Sequence, residues 1–314
     1  MKKLISIVVP CFNEEEALPY FYKEIDKTIK EMDYANFEVI FVNDGSKDKT
    51  LDLLKKYSIN KIYRYISFSR NFGKEAAILA GFKAANGDYV AMMDADLQDP
   101  PKLLPEMYKA VNNEGFDSAA TRRTTRKGEP PLRSFFAHKF YSIINKISDA
   151  DIVDGARDFR LMNRKMVNAI LDMSECNRFS KGIFGWIGFK TKWIDFENVE
   201  RVAGTTKWSF WKLFKYSIEG IVDFSSMPLY ISYLFGIIFG LFGLLYLIIK
   251  GLIFGLNGYE ALMCLIFILS GIQMGLIGIM GEYISRTYSE TRKRPIYIIS
   301  ETEKDMRKDE EDNK

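Results

Sequence analysis

The stretch DADLQDPP, residues 94–101, places two aspartates one residue apart directly after the apolar run YVAMM. Side chains alternate between faces in an extended chain, so Asp94, Asp96 and Gln98 are predicted to share one face at the end of a buried strand. Two nearby carboxylates repel each other unless a cation lies between them. Oxygen ligands suit Mg²⁺ or Mn²⁺, which keep coordination positions open for substrate phosphates. The stretch therefore predicts a metal site for a phosphate-bearing substrate.

The same stretch has a structural alternative. Asp99 would act as the N-cap of the next helix, and Pro100 and Pro101 would open that helix. On this stretch alone the metal site and the helix cap stay open, and the rest of the chain has to decide between them.

The composition excludes several kinds of site. The chain has 314 residues and a formal net charge of +3, which is too small to indicate nucleic-acid binding. The three cysteines, Cys11, Cys176 and Cys264, have no paired spacing, so neither a disulfide framework nor a zinc site is predicted. The single histidine, His138, lies among phenylalanines, which favours a structural role over Ser-His-Asp or Cys-His catalysis.

The elements that must position the aspartates alternate between strand and helix over the first third of the chain. The sequence predicts strands at 4–10, 37–44, 61–69 and 88–96, and helices at 14–32, 48–58, 73–86 and 100–113. This alternation is typical of a parallel sheet with helices on both faces. Ligands of such sheets bind at the carboxyl ends of the strands. Four polar clusters fall there: Asn13–Glu14, Asn43–Gly45, Arg70–Asn71 and Asp94–Asp96.

The second half of the chain has a different pattern. Residues 133–147 and 208–225 carry aromatic-rich apolar faces flanked by lysines, which is typical of helices that lie at a membrane interface. Residues 229–249 and 261–281 contain no charged side chain and are long enough to cross a bilayer. Their short connection predicts a transmembrane hairpin of two helices.

Basic residues before and after this hairpin predict its orientation. By the positive-inside rule, the chain is expected to be a multi-pass protein of the cytoplasmic (inner) membrane, with the catalytic domain and both termini cytoplasmic. Three domains are predicted. Residues 1–225 form a catalytic domain that includes the interfacial helices, residues 226–285 contain the two spans, and residues 286–314 form a tail. The highly charged end of the tail, 301–314, is expected to be disordered.

Six motifs follow one another along the chain: VVPCFNEE (8–15), VNDGSKDKT (42–50), SRNFGKEAAILAG (69–81), DADLQDPP (94–101), DFRLMNRK (158–165) and RVAGTTKWSF (201–210). In this order and combination they resemble the polyisoprenyl-phosphate glycosyltransferases. This branch of glycosyltransferase family 2 includes dolichol-phosphate mannose synthases and bactoprenol glucosyltransferases. The resemblance implies an α/β fold of the GT-A (Rossmann-like) type, a UDP- or GDP-sugar donor, Mg²⁺ or Mn²⁺ and inversion at the anomeric carbon.

The resemblance also implies residues for the donor and the metal. The nucleotide would be bound by five residues at strand ends: Pro10, Asn13, Glu14, Asp44 and Asp94. Asp94, Asp96 and Gln98 would hold the metal and the diphosphate, and Asp96 is counted as catalytic for that reason. For Asp44, the structural alternative is a cap on the turn before Gly45.

The acceptor implied by the resemblance is a lipid phosphate. The basic residues Arg122, Arg126 and Arg133 are the candidates for binding its phosphate group. Arg201 and Lys207 would add positive charge to the leaving group or to the acceptor phosphate, and the alternative is an ordinary basic surface loop.

Asp158 lies where related inverting enzymes place a catalytic base. A phosphate oxygen is already ionised near neutral pH, because its second pKa is about 6. A strong base is then less necessary than for a sugar hydroxyl, so Asp158 is expected to matter for turnover either as a base or by orienting the acceptor.

Together these features predict an inverting glycosyltransferase of the cell envelope. It would move a sugar from UDP-glucose or UDP-N-acetylglucosamine to undecaprenyl phosphate on the cytoplasmic face of the membrane. The alternatives are a processive polysaccharide synthase, whose usual QxxRW motif the sequence lacks, and a non-catalytic membrane scaffold or sugar-nucleotide sensor. Oligomeric state stays open, with a homotetramer suggested by the resemblance, and no nucleic-acid partner is predicted.

Overall fold

The computed structural model describes residues 2–123, 153, 155–173, 175–176, 178–197 and 258–306, with single positions at 234, 238, 241, 245 and 249. The described strands are β1 (Leu4–Cys11), β2 (Asn36–Asn43), β3 (Tyr63–Phe68), β4 (Tyr89–Met92), β5 (Ser118–Arg123), β6 (Ala156–Asn163), β7 (Thr191–Phe196) and β8 (Ile299–Thr302). The described helices are α1 (Leu18–Glu31), α2 (Thr50–Tyr57), α3 (Lys74–Ala84), α4 (Leu104–Asn113), α5 (Arg164–Asp172), α6 (Ser180–Trp186) and α7 (Gly258–Thr291). The chain divides into two compact units, of which the first contains all these strands and the second contains α7.

The strands form one mixed sheet with the order β7-β5-β6-β4-β1-β2-β3-β8. Strands β4, β1, β2 and β3 run parallel, as predicted. Strand β6 runs antiparallel to both β4 and β5, and β8 runs antiparallel to β3. The predicted parallel sheet is therefore confirmed for the first four strands. The strands after residue 117, which the sequence pattern does not predict, make the whole sheet mixed.

Helices cover both faces of the central sheet, as predicted. On one face, Ile5, Ile7 and Val9 of β1 lie in a fully buried cluster with Phe21 of α1 and Met107 of α4. The other face of β1 packs against α3 so closely that a Cβ atom at Gly81 would lie 2.1 Å from Cγ1 of Val8. Burial on both faces explains why β1 and β2 are apolar along nearly their whole length.

The charged C-terminal segment is ordered where the structure describes it, so the prediction of disorder is wrong for residues 301–306. Strand β8 pairs with β3, and the carboxylate of Glu303 next to it is only 3% exposed. Its Oε1 accepts a hydrogen bond of 2.9 Å from Nε of Arg64, whose Nη1 donates to Glu38 at 2.7 Å. The charge of this segment predicts disorder, but one of its acids, Glu303, completes a buried ion pair with Arg64 of the sheet.

Glu303→Ala is expected to lower the free energy of unfolding by about 2 kcal/mol, because it leaves Arg64 part-buried with one carboxylate instead of two. The matched control is Glu301→Ala, which removes a more exposed ion pair to Lys55 and should cost less than about 0.5 kcal/mol. Urea unfolding of both variants measures the difference. Equal losses in the two variants would contradict the role given to Glu303.

The prediction of a multi-pass membrane protein, with its catalytic domain and termini cytoplasmic, is contradicted. In the part of the chain that the structure describes, no helix is long and apolar enough to cross a membrane. The predicted second span, 261–281, lies within the longer helix α7, which continues to Thr291 and carries an ion pair between Arg286 and Glu282.

Several predicted segments lie outside the described residues. They are the two interfacial helices, 133–147 and 208–225, and the first span, 229–249, apart from the single positions given above. The predicted domain boundaries stay predictions.

Candidate active site

The four parallel strands bring the predicted polar clusters to one edge of the sheet. Strands β1, β2, β3 and β4 end at Cys11, Asn43, Phe68 and Met92, and the clusters around Asn13, Asp44, Arg70 and Asp94 follow within one or two residues. Because these strands are parallel and adjacent, their carboxyl ends meet. The prediction that the clusters fall at the carboxyl ends of neighbouring strands is confirmed.

Asn13 joins the loops that follow β1 and β2. It adopts a left-handed backbone conformation with φ of 53°, and its side-chain Oδ1 accepts a hydrogen bond of 2.8 Å from the backbone N–H of Lys47. The backbone N–H of Glu14 donates to Oγ1 of Thr50 at 2.8 Å. Pro10 lies part-exposed near the end of β1. These contacts fix the shape of the loop edge, and the nucleotide-binding role of Pro10, Asn13 and Glu14 stays a prediction.

Asp44 is 3% exposed and caps backbone groups of the loop after β3. Its Oδ1 accepts a hydrogen bond of 2.6 Å from the N–H of Phe72, and its Oδ2 accepts one of 3.0 Å from the N–H of Gly73. Burial raises the pKa of Asp44, and these two donors partly offset the rise. Asp44 therefore has a structural role similar to the predicted turn cap, but it caps the loop after β3 and not the turn before Gly45. Its role in nucleotide binding stays a prediction.

Lys74 at the start of α3 connects two of the predicted acids. Its Nζ lies 2.7 Å from Oδ1 of Asp94 and 2.5 Å from Oδ2 of Asp158. A second ammonium, Nζ of Lys181, lies 3.9 Å from Oδ1 of Asp158. The structure thus brings Asp94 and Asp158 together around a lysine that the sequence analysis did not single out.

The register of the sheet explains why two acids so distant in sequence meet. Strands β4 and β6 are antiparallel, with Tyr89 opposite Asn163 and Met92 opposite Arg160. Continuing this register by two residues brings Asp158 opposite Asp94. Asp158 lies near the beginning of β6, and the beginning of an antiparallel strand lies beside the carboxyl ends of its neighbours.

The charges of this cluster support one another. Burial alone would raise the pKa of Asp158, but the ammonium groups of Lys74 and Lys181 hold that pKa well below its usual range. Burial alone would lower the pKa of Lys74, but Asp158 and Asp94 raise it well above the usual value. At neutral pH the cluster therefore contains an ionised Asp158 carboxylate held by a protonated Lys74.

The segment after β4 exposes the predicted side chains Asp94, Asp96 and Gln98, but as a turn and not as a strand. Strand β4 ends at Met92, and Leu97 has a left-handed φ of 57°, so the segment is a turn and not a continued strand. Even so, Asp94, Asp96 and Gln98 are part-exposed while the residues between them are buried. The backbone N–H of Gln98 donates to Oδ1 of Asp96 at 3.1 Å.

The donor set fits a magnesium-type ion through two carboxylates. Among the described residues, no group of three or more His, Cys, Asp and Glu side chains is placed to hold a metal. Mg²⁺ is commonly held by only one or two carboxylates together with substrate phosphates and water. Asp94 and Asp96 satisfy that requirement, whereas the side-chain Oε1 of Gln98 accepts a hydrogen bond of 3.4 Å from Arg157. The role of all three as metal ligands stays a prediction.

The alternative role of Asp99 as a helix N-cap is wrong. Pro100 occupies the cap position of a short 3-10 helix, Pro101–Leu103, without a side-chain cap. Asp99 is 2% exposed, and its Oδ1 accepts a hydrogen bond of 3.0 Å from Nε of Arg157. Burial raises the pKa of Asp99 to about 6, although Arg157 opposes the rise. The pair anchors the loop after β4 to β6.

Most of the residues predicted to bind the acceptor or the leaving group lie outside the described part of the chain. Arg126, Arg133, Arg201 and Lys207 lie outside the described residues. Arg122 is described, and its Nε and Nη2 donate to the two carboxylate oxygens of Asp195 at 2.7 and 3.0 Å. This pair is substantially exposed, so the phosphate-binding role of Arg122 stays a prediction that would require it to exchange partners.

The model of the family "Glycosyl transferase family 2" matches residues 6–171, which include all four polar clusters and Asp158. This chain belongs to glycosyl transferase family 2. Full-length relatives support the assignment: the Bacillus subtilis (strain 168) protein CsbB is 45% identical, with 95% of this chain and 92% of that protein covered. A prophage bactoprenol glucosyl transferase homolog of Escherichia coli (strain K12) is 42% identical, covering 96% of this chain and 99% of that protein. The resemblance predicted from the motifs is confirmed.

As a family 2 protein, the chain has an α/β fold of the GT-A type with a mixed sheet. Among solved structures, the chain is similar to glucosyl-3-phosphoglycerate synthase from Mycobacterium tuberculosis, with a TM-score of 0.49 and 16% identity over 70% of this chain and 76% of that chain.

Sequence reasoning missed four basic residues that this family 2 site contains. They are Lys74, Arg157, Arg160 and Lys181. Lys74 and Arg160 lie within quoted motifs, but nothing in the sequence says that Lys74 reaches two acids 20 and 84 positions away. The alternation in DFRLM (158–162) could have indicated part of this site. Asp158 and Arg160 alternate with apolar residues, so their side chains share one face of the strand, the face that Lys74 approaches.

Lys74→Met is expected to lower the free energy of unfolding by about 1–2 kcal/mol, because Asp94 and Asp158 then face each other without their shared cation. The loss stays below that of a fully buried pair, since the Lys74 side chain is 37% exposed. Saturating Mn²⁺ should restore more stability to the variant than to the wild type, as measured by thermal unfolding. Lys83→Met, an exposed lysine on the same helix, is the control; equal Mn²⁺ effects in all three proteins would contradict the argument.

Proposed function

We propose that this protein transfers one sugar from a nucleotide sugar to a polyprenyl phosphate, with inversion at the anomeric carbon. The observation that carries the proposal is the meeting of Asp94 and Asp158 on Lys74 at the carboxyl ends of the parallel strands. Relatives that cover nearly the whole chain support the substrate classes, because five of them are named as bactoprenol glucosyl transferases or a homolog of one.

The reaction is a displacement at the anomeric carbon. An oxygen of the acceptor phosphate forms a bond to that carbon, and the bond to the nucleotide diphosphate breaks with its electron pair leaving on the diphosphate. Asp94 and Asp96 would hold a divalent cation, Mg²⁺ or Mn²⁺, and that ion would supply positive charge to the leaving diphosphate. Pro10, Asn13, Glu14 and Asp44 are proposed to bind the nucleotide, at the same edge of the sheet.

Asp158 is proposed to orient cations and not to remove a proton. A general base is most effective when its pKa lies near the working pH, whereas Lys74 and Lys181 hold the pKa of Asp158 well below its usual range. The attacking phosphate oxygen is already ionised near neutral pH. Asp158 therefore fixes the positions of the two ammonium groups, and Lys181 would face the acceptor phosphate.

UDP-glucose is the proposed donor and undecaprenyl phosphate the proposed acceptor. The relatives named as bactoprenol glucosyl transferases favour glucose over N-acetylglucosamine as the donor sugar. Arg201 and Lys207 are proposed to add charge to the leaving group, and Arg126 and Arg133 to bind the acceptor. A homo-oligomer remains part of the proposal, and size-exclusion chromatography with light scattering tests it.

A panel of labelled nucleotide sugars tests the function. Purified full-length protein is incubated with undecaprenyl phosphate in detergent and Mg²⁺ or Mn²⁺, and label that moves into the lipid is counted. Transfer from UDP-glucose that is lost with EDTA would support the proposal. Nucleotide binding without transfer from any donor would contradict it and favour a sensor or scaffold.

A further inference from the structure

A cavity of about 310 Å³ lies beside the acid cluster, between β6, β7 and α6. Its volume is at the lower limit for small-molecule pockets. Three cationic side chains line it, Arg157, Arg160 and Lys181, and no acidic residue is among the described lining residues. The cavity therefore has the charge of an anion site and the size for a small group.

Arg160 is the unusual member of this set. It is 4% exposed, and its Nη1 donates to Oγ of Ser118 at 3.1 Å and to Oγ1 of Thr191 at 3.3 Å. Its buried Nε has no hydrogen-bond partner within the described part of the chain. Arg157 forms an ion pair with Asp99, and Lys181 forms one with Asp158. In contrast, no described carboxylate forms an ion pair with Arg160.

A buried arginine without an ion-pair partner is costly, because its charge has lost water. Among the described residues, the side-chain hydrogen bonds of Arg160 go to two neutral hydroxyls. Burial accordingly lowers the pKa of Arg160 to about 10, although Asp158 opposes the fall. An anion in the cavity would compensate that charge. The guanidinium fork matches phosphate oxygens especially well.

The cavity lining also includes aromatic side chains. The guanidinium carbon of Arg160 lies 4.5 Å from the ring centre of Phe184 and 5.5 Å from that of Trp193, and Phe189 completes the aromatic lining. Rings beside cations suit a phosphate that carries a hydrocarbon group better than a free phosphate ion. Lys181 links the cavity to catalysis, because the same ammonium lines the cavity and lies 3.9 Å from Asp158.

We propose that this cavity binds the phosphate group of an isoprenyl monophosphate, with Arg160 as the buried anchor and Lys181 at the side of Asp158. The assignment rests on the proposed function, in which such a compound is the acceptor. Because one acceptor molecule has one phosphate, the cavity would take the place of Arg122, Arg126 and Arg133 as its binding site.

Calorimetric titration with farnesyl phosphate tests the site without requiring turnover. Full-length wild type should bind farnesyl phosphate, and Arg160→Met should bind it at least about 10-fold more weakly, as expected for loss of a charge-assisted hydrogen bond. UDP-glucose binding should be unchanged in this variant. The matched control is Lys192→Met, which removes a charge from β7 that pairs with Glu114 and is not among the cavity lining. It should bind farnesyl phosphate as the wild type does.

Two further probes separate the sources of the phosphate. Farnesol, which lacks the phosphate, should not bind detectably, and inorganic phosphate should bind more weakly than farnesyl phosphate. Inorganic phosphate that binds as tightly, with the same dependence on Arg160, would overturn the isoprenyl assignment. Wild-type affinity of Arg160→Met for farnesyl phosphate, or an equal loss for UDP-glucose, would overturn the site.

If Arg160→Met does not fold, farnesyl phosphate binding by Lys181→Gln tests the site instead. This part-exposed position should tolerate the change and weaken farnesyl phosphate binding several-fold, and wild-type affinity would overturn the site. Failure of the proposed function would be recognised separately, because it means no sugar transfer by the wild type whatever the binding data are.

Discussion

Asp94→Asn is expected to lower kcat/KM for the nucleotide sugar by about 1,000-fold. The asparagine keeps the size of the side chain but loses the charge that a divalent cation and Lys74 both require. Asp94 lies 2.7 Å from the Lys74 ammonium and two residues beyond the end of β4, where the leaving diphosphate is proposed to lie. Initial rates over a range of UDP-glucose and Mn²⁺ concentrations measure the effect.

The matched control for Asp94→Asn is Asp88→Asn, which changes an aspartate at the opposite end of β4. Asp88 forms an exposed ion pair with Lys3, so its replacement should leave kcat/KM within about two-fold and change stability only slightly. A wild-type rate in Asp94→Asn, or a similar loss in both variants, would show that the carboxyl end of β4 is not the donor site.

Asp158→Asn is expected to lower kcat by about 100-fold with little change in the KM for the nucleotide sugar. The neutral amide no longer fixes the ammonium groups of Lys74 and Lys181, so the positive charge proposed to face the acceptor phosphate loses its position. The residues proposed to bind the donor lie at the ends of β1, β2 and β4 and are unchanged, which is why the KM for the donor should change little.

The control for this change is Asp172→Asn, an exposed aspartate at the end of α5, which should leave kcat unaltered. Wild-type kcat in Asp158→Asn would remove Asp158 from the mechanism. An increase in donor KM without a fall in kcat would move Asp158 to the donor side.

The sequence was sufficient for the central part of the fold because local and global signals agree there. Each of β1 to β4 is a short apolar run followed by polar residues, and parallel strands need both features. The antiparallel edge escaped prediction because β6 is separated from β5 by a long connection, and its register with β4 depends on pairing that no local pattern encodes. The same pairing brings Asp158 to Asp94.

The role of a charged residue could not be predicted where its ion-pair partner lies far away in the sequence. Glu303 belongs to a tail that looks unstructured, yet it completes the ion pair of Arg64. Lys74 follows a glycine in an ordinary helix start, yet it holds the two acids of the site. Arg160 sits in an apolar strand pattern, and only the structure reveals that it is buried and forms no ion pair with a carboxylate of the described residues. Long-range electrostatics therefore accounts for most of what the sequence left out.

Mass spectrometry and NMR of the lipid product test the central claim most directly. Protein, undecaprenyl phosphate, UDP-glucose and Mn²⁺ are brought to completion, and the lipid is extracted. The proposal predicts one hexose per lipid phosphate in the β configuration, since inversion of α-linked UDP-glucose gives a β product. Several hexoses per lipid, an α linkage, or unchanged lipid in the presence of bound UDP-glucose would contradict it.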